Sequence, residues 1–189
     1  MARPQLIDDA ALIERLSHTF RAFGYEGASL TRLAKSAGMQ KPSLYHRFPH
    51  GKRQMAEEVL TAARGWYVAH VFGPLARDGS PAERIAAVAQ ALDTFYEGGK
   101  QGCLLNLMAQ PPGEDSPFAG PIREMFAALI DAFAAVAREA GLKPADAAEH
   151  AGRTVALLHG SLVLSRGLNS NAPFRAFTAS LARELGISK

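Results

Sequence analysis

The stretch Ser29–Phe48, SLTRLAKSAGMQKPSLYHRF, decides how the rest of the chain is read. Leu30, Leu33, Ala34 and Ala37 recur at three- and four-residue spacing, as one apolar helix face requires. Gly38 then supplies a residue that tolerates the left-handed backbone closing a helix. After Met39 and Gln40 the chain restarts, with Pro42 in a first turn where a missing N–H costs nothing. Leu44 and Phe48 are predicted to face inward from this second helix, leaving Gln40, Lys41, Ser43, Tyr45, His46 and Arg47 outside. Ala34 is small enough to let the two helices cross closely, the geometry of a helix-turn-helix.

The outer side suits a polyanion. From Ser29 to Arg53 the basic residues are Arg32, Lys35, Lys41, Arg47, Lys52 and Arg53, and no Asp or Glu interrupts them. Neutralising phosphates with such a stripe releases counterions, which is the main source of DNA affinity. The plain alternative is a helical hairpin with a solvated basic face. The turn, the placed proline and the amide-plus-cation surface together favour DNA. Charge distribution agrees: residues 1–70 hold ten Lys/Arg against six Asp/Glu, and residues 71–189 eleven against twelve. The net charge of +3 is therefore concentrated at the front of the chain.

The run LTRLAKSAGMQKPSLYHRFPHGKRQM, Leu30 to Met55, resembles the DNA-binding signature of TetR-family transcriptional regulators. Within it, FPHGKRQMA is similar to the LmrA/YxaF-like branch, from which His50 and Arg53 depart. The resemblance implies phosphate contacts at Thr31, Tyr45 and Lys52, and base or groove contacts at Gln40, Lys41, Ser43 and His46. Physically, Gln40 can read adenine in bidentate fashion and Lys41 can reach guanine acceptors. Arg32 belongs to the same basic stripe. Arg47 is open to two roles, a phosphate clamp or a pair within the headpiece, and His46 is either a donor or a bystander.

At 189 residues with 48 % hydrophobic and 21 % charged content, the chain has room for a small headpiece and a larger helical body. The expected architecture is all-α: a three-helix headpiece over residues 1–51, then a helical bundle over residues 52–189, about nine helices in all. In the first helix, begun by Asp8 or Asp9, Ile13, Leu16, Phe20 and Phe23 form the expected buried stripe and Gly24 its end. Helix 4, near Lys52 to Val71, would carry cations at its front and Trp66, Tyr67 and Phe72 beyond, linking the two parts. Gly73 and Pro74 interrupt it. Ser80, Pro81 and Glu83 read as a capping box opening the next helix. The apolar run Gly102–Gln110 must be enclosed, and Pro111–Pro117 is a breaker. Three long helices follow, near 118–140, 144–168 and 173–185. The small residues of the second, with Phe174, Phe177, Leu181 and Leu185 of the third, suggest a self-complementary face for a two-fold homodimer. The resemblance implies that dimer too.

An apolar or aromatic effector would find Trp66, Phe72, Leu92, Phe95, Tyr96, Leu104, Leu105, Met108, Phe126, Ile130, Phe133 and Leu158, with Asn106, Gln110 and His159 as polar anchors. Plain core is the competing reading at each position. Cys103, the single cysteine, excludes an internal disulfide and reads as a buried structural thiol. His150 and His159, nine residues apart, have no compact partners for a metal. No nucleophile motif, phosphate loop or carboxylate pair stands out, so neither an enzyme nor a cofactor is expected. The start, MARPQLIDDA, lacks the apolar core of a signal peptide and no run is long enough to span a membrane, which places the protein in the cytoplasm. The expected function is a dimeric repressor released from a palindromic operator by a small apolar effector. The alternatives are a helical binder of hydrophobic molecules that does not read DNA, and an activator or co-repressor-dependent regulator.

Overall fold

The computed structural model describes residues 8–109 and 116–187, and among them every regular element is helical. Helix α1 (Asp9–Gly27) buries Leu12, Leu16 and Phe20, spaced by four. That stripe differs from expectation at one end, because Phe23 is 49 % exposed and lies beneath the Arg32 guanidinium. The backbone leaves helical geometry at Gly24 and adds one more turn to Gly27. Asp8 occupies the N-cap without a side-chain cap bond.

Helices α2 (Leu30–Ala37) and α3 (Lys41–Arg47) form the expected pair. The Ser29 hydroxyl accepts from the Arg32 N–H, which satisfies a donor the helix start leaves orphaned. At the far end Gly38 is left-handed (φ 67°), and the Gly38 and Met39 N–H groups close back onto Lys35 and Ala34. Leu33, Ala34, Ala37, Leu44 and Phe48 are all buried in the seam.

Helix α4 (Gly51–Tyr67) does not stop where Gly73 and Pro74 suggested. It continues through a π-helical turn, Val68–Phe72, into a last α-helical turn, Gly73–Leu75. The wider π turn lets the chain enter Pro74, whose absent N–H would break a tighter helix. Helix α5 (Pro81–Phe95) opens on the predicted capping box, with Glu83 N–H to Ser80 Oγ at 3.2 Å and Ser80 N–H to Glu83 Oε2 at 3.1 Å. A 3-10 turn, Glu97–Gly99, follows. There a Cβ on Gly99 would sit 2.6 Å from Phe174 Cβ, so only glycine admits the last helix so closely.

Helix α6 (Leu104–Met108) is short and enclosed; α7 (Ala119–Glu139), α8 (Pro144–Gly167) and α9 (Ala172–Glu184) complete the body. Most of the expected breaker before α7 lies outside the described residues. Helix α8 lies between α7 and α9, and α9 returns against α5. Arg84 of α5 is buried between Glu139 of α7, with which it pairs, and the Leu75 carbonyl at the end of α4. The headpiece meets the body where α1 crosses α4 and α6. Tyr25 closes that joint, stacked beside Phe20 and edge-on to Phe118.

The apolar side of α9 is spent within the chain. Phe174, Phe177, Leu181 and Leu185 are all buried in the core, not displayed as the sequence reading expected. What the second long helix displays is its other face, where Leu157, Val163, Leu164 and Leu168 are 40–65 % exposed. Gly152 and Gly160 on α8 face open space.

Candidate functional site

Two regions gather the residues singled out by sequence. On the headpiece, Leu44 and Phe48 anchor α3 inward, and Thr31, Gln40, Lys41, Ser43, Tyr45 and His46 stand exposed on one outer surface. Pro42 in the first turn fixes the helix start beside Gln40. Side chains held this way keep their polar ends free for a partner.

The other candidate cations are engaged inside the headpiece. Arg47 takes the second of its two open roles: Nε donates to Asp9 at 3.0 Å, one terminal nitrogen to Glu58 at 3.0 Å, and its plane covers Phe48. These partners raise its pKa, the Asp9 bond foremost and then the Glu58 bond. Lys52 reaches the Tyr25 carbonyl at 3.0 Å and sits 4.3 Å from the Tyr25 ring centre. Arg32 donates to the Gly27 carbonyl at 2.8 Å while remaining exposed. Arg47 ties α3 to α1 and α4; Lys52 ties α4 to the end of α1. Both brace the position of α3 within the headpiece.

In the body, α4 and α5 bring Trp66, Phe95 and Tyr96 together. Trp66 stacks on Phe95 at 3.9 Å, Phe95 meets Tyr96 edge-on, and the Tyr67 and Tyr96 hydroxyls share a buried 2.6 Å hydrogen bond. Phe72 is tilted against Tyr67. Leu92, Met108, Phe133 and Leu158 are plain core, fully enclosed, while the buried Leu104 borders a small cavity. Phe126 and His159 pair edge-to-face between α7 and α8, with Ile130 half-buried. Asn106 points outward from α6, away from this cluster, and Gln110 lies outside the described residues.

A small cavity is lined by Arg21, Arg64, Tyr67, Tyr96, Cys103 and Leu105, among others. A larger one, about 300 Å³, opens between α4 and α7 against Leu60, Thr61, Arg64, Phe118, Ile122 and Met125. Of the effector candidates only Leu105 reaches both. The lining of the larger cavity was not visible in the sequence. Leu60 and Thr61 look like an ordinary α4 face until α7 crosses over them. Arg21 likewise gave no local signal, since its burial comes from the chain around Gly102 packing across α1, where its guanidinium donates to the Gly102 carbonyl at 2.7 Å.

Cys103 is buried, as expected. Burial pushes its pKa up, while the nearby His159, Tyr96 and Asn106 backbone pull it below the ordinary thiol value; neither His159 ring nitrogen has a hydrogen-bond partner among the described residues. Both Tyr67 and Tyr96 are pushed up by burial and stay neutral donors. No group of three or more His, Cys, Asp or Glu side chains suited to a metal exists among the described residues. Nor is any helix there long and apolar enough to cross a membrane.

Comparison with known proteins defines the class. The tetR-family signature of bacterial regulatory proteins matches residues 12–59, and the LmrA/YxaF-like C-terminal domain of transcriptional regulators matches residues 81–180. The chain belongs to the TetR family: it is a DNA-binding transcriptional regulator of the LmrA/YxaF-like branch, not an enzyme. The HTH-type transcriptional regulator LmrA of Bacillus subtilis is 25 % identical over 170 residues, covering 86 % of this chain and 88 % of that one. YxaF of the same species is 40 % identical over 52 residues, 25 % of this chain and 27 % of that one. Among solved structures, a cysteine-substituted TetR-family regulator CifR complexed with 26-bp double-strand operator DNA superposes with a TM-score of 0.74. It is 23 % identical and covers 98 % of each chain. A TetR-family regulator from Agrobacterium tumefaciens gives 0.75 at 21 % identity, covering 92 % of this chain and 95 % of that one.

Proposed function

We infer that this regulator is a cytoplasmic repressor that binds a roughly palindromic operator as a homodimer and is released by a small effector. The observation that carries the reading is the α3 surface: Gln40, Lys41, Ser43, Tyr45 and His46 exposed on a helix seated by Leu44 and Phe48, with no acid in the surrounding run. Operator DNA bound to CifR in the same fold supports it. The headpiece extends to about residue 51, and α4 joins it to a sensing and dimerising body over residues 52–189.

Dimerisation uses the outward face of α8. Gly152, Ala156 and Gly160 allow close helix approach there, and Leu157, Val163, Leu164 and Leu168 supply apolar area. Two copies related by a two-fold axis would set their α3 helices roughly 34–36 Å apart, one helical repeat of DNA. The effector occupies the cavity between α4 and α7. Because α4 both lines that cavity and is clamped to the headpiece through Lys52, filling it shifts the reading helices. A ligand that favours the shifted form by about 1–3 kcal/mol weakens operator binding roughly 5- to 150-fold.

Fluorescence anisotropy on the upstream intergenic DNA tests this, with a random duplex as control. If the dimer neutralises ~8 phosphates, affinity falls with salt at a log–log slope near about −7. Salt-independent or absent binding would leave a helical carrier of hydrophobic molecules as the better account.

A further inference from the structure

Arg21 is a guanidinium withdrawn from water. It is 6 % exposed, its Nε donates to the Ser17 hydroxyl at 3.2 Å and Nη1 to the Gly102 carbonyl, and it lies 4.4 Å from the Phe95 ring centre. None of these partners is negative. Among the described residues it forms no ion pair, and neither does Arg64, the second arginine of the same small cavity. A buried cation held only by dipoles and ring faces is costly unless an anion arrives. The Cys103 thiol lines the same small cavity, but among the described residues no hydrogen bond joins it to Arg21.

Arg64, Leu105 and Met125 also line the larger cavity, so the two spaces share that wall. The far end of that cavity has the opposite character. Glu57 stands there, seven residues back on α4 and about 10 Å along its axis, held by Arg53 at 2.8 Å. Between the two ends the walls are Leu60, Phe118 and Ile122. The cavity is therefore cationic toward the body and apolar along its length.

The geometry points to a monoanionic amphiphile as the effector, with its carboxylate at Arg64 facing Arg21 and its apolar body between α4 and α7. This rests on the sensor reading above and names its ligand class. A cavity of about 300 Å³ is at the small end for ligand sites and takes roughly ten to fifteen non-hydrogen atoms. Medium-chain and aryl-alkanoic acids have that size.

Trp66, the single tryptophan, stacks on the same Phe95 ring that carries Arg21, so its emission reports on the site. The full chain is titrated with decanoate, 4-phenylbutyrate and uncharged decanol, following Trp66 emission and operator release in parallel. Decanoate is expected to bind at least about tenfold tighter than decanol, as charge-assisted contacts with Arg imply. Arg64→Gln, a change at an exposed position, is expected to erase that preference, weakening decanoate at least about tenfold more than decanol. Arg21→Gln, checked by thermal melting, should also reduce it; if that variant does not fold, Arg64→Gln alone decides. Equal binding of decanoate and decanol, or a preference that survives Arg64→Gln, overturns the anion assignment and leaves the sensor reading standing. If none of the three compounds changes emission or operator binding, the amphiphile assignment falls, and the sensor reading is left to effectors of another class.

Discussion

Arg47 in the headpiece and Arg21 in the body are both arginines against aromatic rings, yet they are compensated in different ways. Arg47 keeps part of its side chain in water and has carboxylates from Asp9 and Glu58 on it. Arg21 is enclosed and, among the described residues, is held by a hydroxyl, a carbonyl and the Phe95 and Tyr96 faces. The first arrangement locks a surface so that it presents one shape to a partner. The second holds unsatisfied charge beside a cavity, which suits a region that answers to a ligand. If the body senses an effector as proposed, rigidity at the DNA-facing surface and incompleteness at the cavity would be complementary requirements of a switch.

Five changes break or sharpen that contrast. Phe20→Ala removes the ring that packs under Tyr25 at the joint between the two regions, and should cost about 3–5 kcal/mol in urea unfolding. A loss below about 1 kcal/mol would mean the joint is loosely packed. Lys41→Ala should lower operator affinity by about 1–3 kcal/mol while leaving the melting curve and the dimer unchanged. Tyr45→Phe belongs with it, and full affinity in both variants would show that the reading face has been placed wrongly.

Ser80→Ala opens the capping box at the start of α5, far from the reader, and should cost about 1 kcal/mol of stability with operator affinity intact. The smallest effect is expected for Arg47→Met. Its ion pairs are partly exposed and screened, so stability should drop by only about 0.2–1 kcal/mol, and less at high salt. Operator affinity should fall less than in Lys41→Ala. A larger loss would make Arg47 a phosphate contact instead of a brace.

Much of the helical structure was legible because its signals are local. The Leu30–Ala37 spacing, Gly38, Pro42 and the Ser80–Glu83 box each act within a few residues of themselves, and each formed as read. Phe23 misled because its place on the helix stripe fits a buried residue, while the chain bends at Gly24 and leaves it outside under Arg32. Gly73 and Pro74 misled for a related reason: they are breakers in a regular helix, and the π turn ahead of them removes the conflict.

The candidate site divides the same way. Exposure of Gln40, Lys41, Ser43, Tyr45 and His46 followed from the position of Leu44, which a single helix period settles. The roles of Arg47 and Lys52 did not, since Asp9, Glu58 and Tyr25 reach them from other helices. In the body, aromatic residues at helical spacing were recognisable as a cluster, but which of them line space and which fill it depends on how α7 crosses α4.

The sequence by itself determined the all-helical class, the helix-turn-helix and its outward polar face, because those follow from short-range periodicity and capping. Only the tertiary structure decided that Arg21 is buried without a counter-charge, that the cavity belongs to Leu60, Arg64, Phe118 and Ile122, and that α8 keeps an apolar face outside while α9 spends its own within. Burial and cavities arise from contacts between residues tens of positions apart, and no local pattern encodes which distant helix arrives or at what angle.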